Sequence, residues 1–338
     1  MASGLFEKLR QYYHRNKEPQ PLISETTAVW CSILCTILYV APLYTSKATR
    51  PGPTLSRDAP SLIKARIRAV MLSCLCCSLA AFYLIVHSGR SSPLEGLQLL
   101  GWWPIGFLEI GKSLLLTVLL FMGPLFEMGI AEGKWRSWVR GRNLVETLRT
   151  WVGWRNYVAG PVTEEITFRS IITVIHLMAK MSPVRIVFLT PLYFGIAHVN
   201  HFYETKLAQP NAALTPVLIR SLFQFTYTTI FGWYATFIYL RTGSLPAVIL
   251  VHSFCNYCGL PRLWGRVETS IPIESTLIRA AKFDEDENLF ERSNGTTGIG
   301  WTVAYYIILL AGVVLFRYQF WPLTESSKAL VSFSPNAH

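Results

Sequence analysis

Two adjacent carboxylates and an arginine, Glu164, Glu165 and Arg169, stand at the mouth of an apolar run from Ile171 to Met178. Two more apolar runs carry polar groups that packing alone does not explain: Phe194-Gly195-Ile196-Ala197-His198-Val199-Asn200-His201 and His252-Ser253-Phe254-Cys255-Asn256. Ionisable groups in such runs are costly unless paired or turned to a watered cavity, so they mark a candidate site. A carboxylate held away from bulk water suits a general base near neutral pH. The dipole at a helix start favours the ionised form and opposes that burial effect. Glu164 or Glu165 can take a proton from water while His198 orients or shares that water. His252 and Asn256, four residues apart and on one helix face, can donate to a developing oxyanion, a contact worth about 3 to 4 kcal/mol when removed. Arg169 fixes and balances the second carboxylate. Together these roles describe water-mediated amide hydrolysis. The structural alternative is a plain Glu165 to Arg169 ion pair at i,i+4 with histidines that only hydrogen-bond. Ser253 beside His252 forms no nucleophile elbow. Glu, His and His are acceptable zinc ligands, but the H-E-x-x-H pairing is absent, so no cofactor is expected and zinc is the less favoured alternative.

The elements that must position these groups are membrane helices. The chain has 338 residues, 51% hydrophobic and 15% charged, against about 25% charged in soluble domains, and its mean hydropathy is positive. The net charge of +11 lies mainly in short loops between apolar runs, where it orients a membrane protein. Nucleic acid is therefore not an expected partner. Apolar runs of roughly twenty residues predict an all-α polytopic membrane protein of about eight spans enclosing a polar cavity. The spans are placed near 24–44, 69–87, 114–130, from Gly160-Pro161 onward, 184–198, 216–240, 246–258 and 299–316. Proline at position 161 reads as a first helical residue, and 131–158, with its mixed Trp and Arg, as an interfacial helix. The expected organisation is a polar tail over 1–23, a membrane domain over 24–320 with a motif core over 160–260, and a tail over 321–338. A short basic amphipathic helix is expected near 5–17. Seven cysteines give no disulfide framework, and most fall within spans as small packers. Lys and Arg favour the odd-numbered loops, which places those loops in the cytosol and predicts an unglycosylated Asn294-Gly295-Thr296.

Depth joins the three clusters. Glu164 lies near the start of its span, while His198 and Asn256 lie near the ends of spans running the opposite way, so all face the odd-loop side. In order, Glu164-Glu165-x-x-x-Arg169, Phe194-x-x-x-His198 and His252-x-x-x-Asn256 resemble the three motifs of the type II CAAX prenyl endopeptidases. The fuller strings around His198 and His252 are similar to the eukaryotic branch. The resemblance implies an endoplasmic-reticulum protease that removes the last three residues of farnesylated or geranylgeranylated CAAX proteins, such as Ras- and Rho-type GTPases. It implies Glu164 and His198 as activators of water, His252 and Asn256 as the oxyanion hole, and Glu165 and Arg169 as support. Membrane lipid would hold the prenyl chain. A non-catalytic membrane scaffold is the competing reading from another class.

Overall fold

The computed structural model describes residues 21–267 and 299–333, together with Phe6, Lys8 and Leu9. Its described elements are helices, with no strand among the described residues. They comprise α1 (Glu25–Val40), α2 (Pro60–Tyr83), α3 (Pro93–Leu99), α4 (Phe107–Leu120), α5 (Met122–Phe126), α6 (Trp135–Val139), α7 (Arg142–Leu148) and α8 (Trp151–Trp154). The second half holds α9 (Gly160–Glu165), α10 (Val174–Met178), α11 (Pro183–His198), α12 (Asn200–Ala208), α13 (Leu214–Thr242), α14 (Leu245–Cys258) and α15 (Ile299–Thr324).

The all-α membrane architecture is as expected, but its helices divide into two kinds. Three stretches are long and apolar enough to cross a bilayer alone: Glu25–Leu43, Pro60–Ser88 and Ile299–Thr324. Most of their surface is left exposed by the rest of the protein, as suits helices that meet lipid. The pair Phe107–Leu120 and Met122–Ala131, where one span over 114–130 is expected, qualifies only when taken together and is bent by 78°. Pro124 lies just past the bend and has no N–H for the carbonyl of Leu120, which breaks the ladder there. The helices carrying the motifs form the buried centre. Ile166 to Met178 is buried at every residue, and α14 has only fourteen residues. Their neighbours are mainly protein, so neither full bilayer length nor continuous hydropathy is required of them.

Several expected boundaries shift for physical reasons. Helix α2 begins at Pro60, nine residues earlier than expected, with proline in its first turn, a position that needs no donor. Lys64, Arg66 and Arg68 therefore ride on a helix. Pro161 does not start a helix either: α8, α9 and α10 join through wide π-helical turns at Arg155–Ala159 and Ile166–Thr173 into one run over 151–178. The Gly160 amide bonds the carbonyl of Arg155, and this five-residue spacing accommodates the proline within a continuing helix. The interval expected as an interfacial helix over 131–158 is broken into α6 and α7, and its last part belongs to α8 and the turn after it, which open that run.

Close approach of α11, which carries His198, and α13, which carries no motif residue, packs that motif helix into the centre. A methyl group at Gly195 would overlap the hydroxyl of Thr229, and one at Gly232 would come within 2.6 Å of Pro191. Small residues at such crossings let backbones meet. At the other end, residues 325–333, assigned from sequence to a tail, pack onto the domain. Leu330 and Val331 are buried, and Lys328 pairs with Glu109 at 3.0 Å. The glycosylation sequon at Asn294 and the rest of 268–298 lie outside the described residues, as does most of the expected amphipathic helix near 5–17.

Candidate active site

Helix α9 brings Glu164 and Glu165 to the middle of the bundle, and the wide turn after it carries Arg169 back alongside them. Arg169 Nη1 donates to Glu165 Oε1 at 3.0 Å, with the two side chains 1% and 0% exposed. The guanidinium also lies 4.4 Å from the ring centre of Phe194 and 5.5 Å from that of Phe231, a cation–π setting. The same Glu165 oxygen accepts from His252 Nδ1 at 2.6 Å. Because a carboxylate only accepts, this contact puts a proton on Nδ1 and turns Nε2 toward Glu164, whose Oε2 is 3.6 Å away. That gap exceeds a direct hydrogen bond. Glu164 is 19% exposed, so it borders open space where Glu165 does not.

His198 enters from the end of α11. Its Nδ1 lies 2.8 Å from the carbonyl of Phe194, so that nitrogen carries the proton and Nε2 keeps a free lone pair. His198 joins the group through the Phe194 ring, whose centre is 4.5 Å from its own and 6.1 Å from that of His252. Asn256 stands farther out. It is exposed, and its amide donates to the carbonyl of Asn156 at 2.9 Å. The structure thus brings Glu164, Glu165, Arg169 and His252 into one polar chain, sets His198 beside them, and leaves Asn256 at the rim. Sequence reasoning missed the Glu165 to His252 contact and also Tyr39, on α1. The Tyr39 hydroxyl lies 3.2 Å from Thr163 Oγ1 and 3.5 Å from Glu164 Oε1.

A second polar network braces the mouth. Glu204 on α12 accepts from His201 Nδ1 at 2.8 Å and from Arg66, and lies 3.5 Å from Arg57. The Tyr44 hydroxyl donates to the carbonyl of Asn200 at 3.1 Å, while Arg155 holds Asp58 at 2.8 Å. The loop between α1 and α2 is thereby tied across the motif helices as one wall. Burial alone would raise the pKa of Glu204, but the His201 hydrogen bond and the two arginines outweigh it and hold the carboxyl at about 2. A depressed carboxyl stabilises the fold above its ordinary value of 4.5 and loses that contribution as pH falls toward about 2. In detergent, the thermal midpoint of the wild type is expected to exceed that of Glu204→Gln at pH 6, with the difference shrinking below pH 4.5. A difference that stays constant across this range would contradict the assignment.

With the geometry in place, known proteins give the context. The family model described as Type II CAAX prenyl endopeptidase Rce1-like matches residues 146–258, the stretch that holds all six motif residues. The chain is 36% identical over 294 residues to the probable CAAX prenyl protease 2 of Schizosaccharomyces pombe, covering 87% of this chain and 92% of that protein. The chain belongs to the type II CAAX prenyl endopeptidases. CAAX prenyl protease 2 of Homo sapiens is 36% identical over 254 residues, covering 70% of this chain and 71% of that one. The Arabidopsis thaliana CAAX prenyl protease 2 is 30% identical over 263 residues, covering 72% and 83%. No solved structure matches the chain. In this CAAX prenyl endopeptidase the polar chain described above is the part that apolar packing does not account for.

Proposed function

We propose that this endopeptidase hydrolyses the peptide bond after the prenylated cysteine of CAAX proteins, with water activated by Glu164 and His198. The observation that carries the reading is the linked series Arg169, Glu165, His252, Glu164, in which one carboxylate is held by partners and the other borders open space. Water accepted by Glu164 and by the free Nε2 of His198 attacks the carbonyl carbon, and its proton passes to Glu164. Negative charge then gathers on the carbonyl oxygen. His252, carrying a proton on both ring nitrogens with Nδ1–H held by Glu165 and Nε2–H free, and the second amide hydrogen of Asn256, the first being bonded to Asn156, are the donors for it. Protonated Glu164 next gives its proton to the departing amine, the C–N bond breaks, and the aaX tripeptide leaves with a free amino group.

The prenylated substrates are Ras- and Rho-type proteins, and the membrane is that of the endoplasmic reticulum with the site open to the cytosol. A lipid anchor explains why such chemistry sits among apolar helices: the prenyl chain stays in the bilayer and presents its peptide at the interface. Among the described residues no three His, Cys, Asp or Glu side chains converge as a metal-binding set; water activation by the protein and the zinc alternative are separated by a chelator.

Detergent-solubilised protein is expected to release the intact tripeptide from a farnesylated CAAX peptide, read by mass spectrometry, with the rate unchanged by a strong chelator. Loss with the chelator and recovery with zinc would replace the mechanism. No release by the wild type would favour the scaffold reading.

A further inference from the structure

The wall beside His198 carries more positive charge than its own acid balances. Arg57 and Arg66 both face the single carboxylate of Glu204. Arg66 is tucked inward, its Nε also donating to the carbonyl of Thr49 at 2.7 Å. Arg57 reaches Glu204 only at 3.5 Å, and its side chain is 43% exposed. A guanidinium has five donors in a planar fork matched to carboxylates, so one long contact leaves most of its capacity open. We infer that Arg57, backed by Arg66, receives the free α-carboxylate at the C-terminal end of the substrate; this rests on the endopeptidase reading above.

Placement supports the assignment. The rings of His198 and His201 are 5.9 Å apart. His201 bonds Glu204 Oε2 at 2.8 Å, and Arg57 lies 3.5 Å from the same oxygen. Three extended residues span roughly 10 Å, the order of length of the path of contacts from His198 through His201 and Glu204 to Arg57. Glu204 neutralises one arginine of the two, so the wall offers one net positive charge to one arriving carboxylate. A cation set three residues along the substrate from the scissile carbonyl gives a physical reason for a fixed product length.

Two prenylated peptides that differ only in a C-terminal acid or primary amide test this. Wild type is expected to favour the acid by about tenfold or more in kcat/KM, the size of a charge-assisted hydrogen bond. In Arg57→Gln the acid-to-amide ratio should fall toward one, and Arg57→Lys should keep part of the preference as a point charge. A wild-type ratio near one overturns the inference, as does an Arg57→Gln that slows both peptides in equal proportion. The base assignment is read separately, because Glu164→Gln should stop cleavage of both peptides whatever their terminus.

Discussion

Replacing Glu164 by glutamine is expected to lower kcat for tripeptide release by about 10³-fold, equivalent to about 4 kcal/mol of barrier. Glutamine keeps the shape of the side chain and can still accept from Tyr39, whose hydroxyl lies 3.5 Å from Oε1. It cannot take a proton from water. The loss should therefore appear in kcat, with KM for the prenylated peptide little altered, because the peptide is held by other groups. A variant retaining more than a tenth of wild-type kcat would remove Glu164 as the base and return it to a packing role. Proton transfer to Glu164, rather than burial of Glu164, is what this substitution removes.

Arg169→Met should lower stability by about 3 to 5 kcal/mol, the usual consequence of leaving one member of a buried ion pair uncompensated. Methionine fills much of the space between Phe194 and Phe231, but the fully buried Glu165 carboxylate would then keep only His252 as a partner. Lysine should not restore the midpoint, since an ammonium lacks the planar fork that meets a carboxylate and two aromatic rings together. Joining Arg169→Met with Glu165→Gln should recover a large part of the loss, because no unpaired charge then remains. Thermal unfolding in detergent reads all three variants. A midpoint unchanged by Arg169→Met would show that the pair does not hold the centre of the bundle together.

What could be read from the chain follows the range of each interaction. The Glu165 to Arg169 pair was legible because four residues fix its geometry locally. The contact between Glu165 and His252 joins helices 87 residues apart, and its existence depends on how each helix is rotated in the bundle. Neither residue announces that rotation. Tyr39 was illegible for another reason: an aromatic in an apolar helix looks the same whether its hydroxyl serves a carboxylate or only reaches an interface. The outer helices were the clearest because lipid demands continuous hydropathy, whereas the short α14 and the proline inside 151–178 belong to helices freed from that demand by their neighbours. Asn256 lies on α14, within the run read from sequence as a span over 246–258. That its amide already bonds Asn156 could not be read, because the wide turn supplying that carbonyl has no sequence signature.

The division between lipid-facing and buried helices also governs how the chain is made. A segment carrying Glu164, Glu165 and Arg169 gains little from entering a bilayer alone, since each charge would meet hydrocarbon before its partner arrived. Helices α1 and α2 precede it in synthesis and are apolar enough to be inserted by themselves. They give the 151–178 run a protein surface to enter against, with Cys74 of α2 already 3.3 Å from Thr167 in the finished fold. Helix α14 brings His252 only after α11 and α13 are made. The polar centre is therefore completed late in biogenesis, and until then its carboxylates await the partners that make burial tolerable.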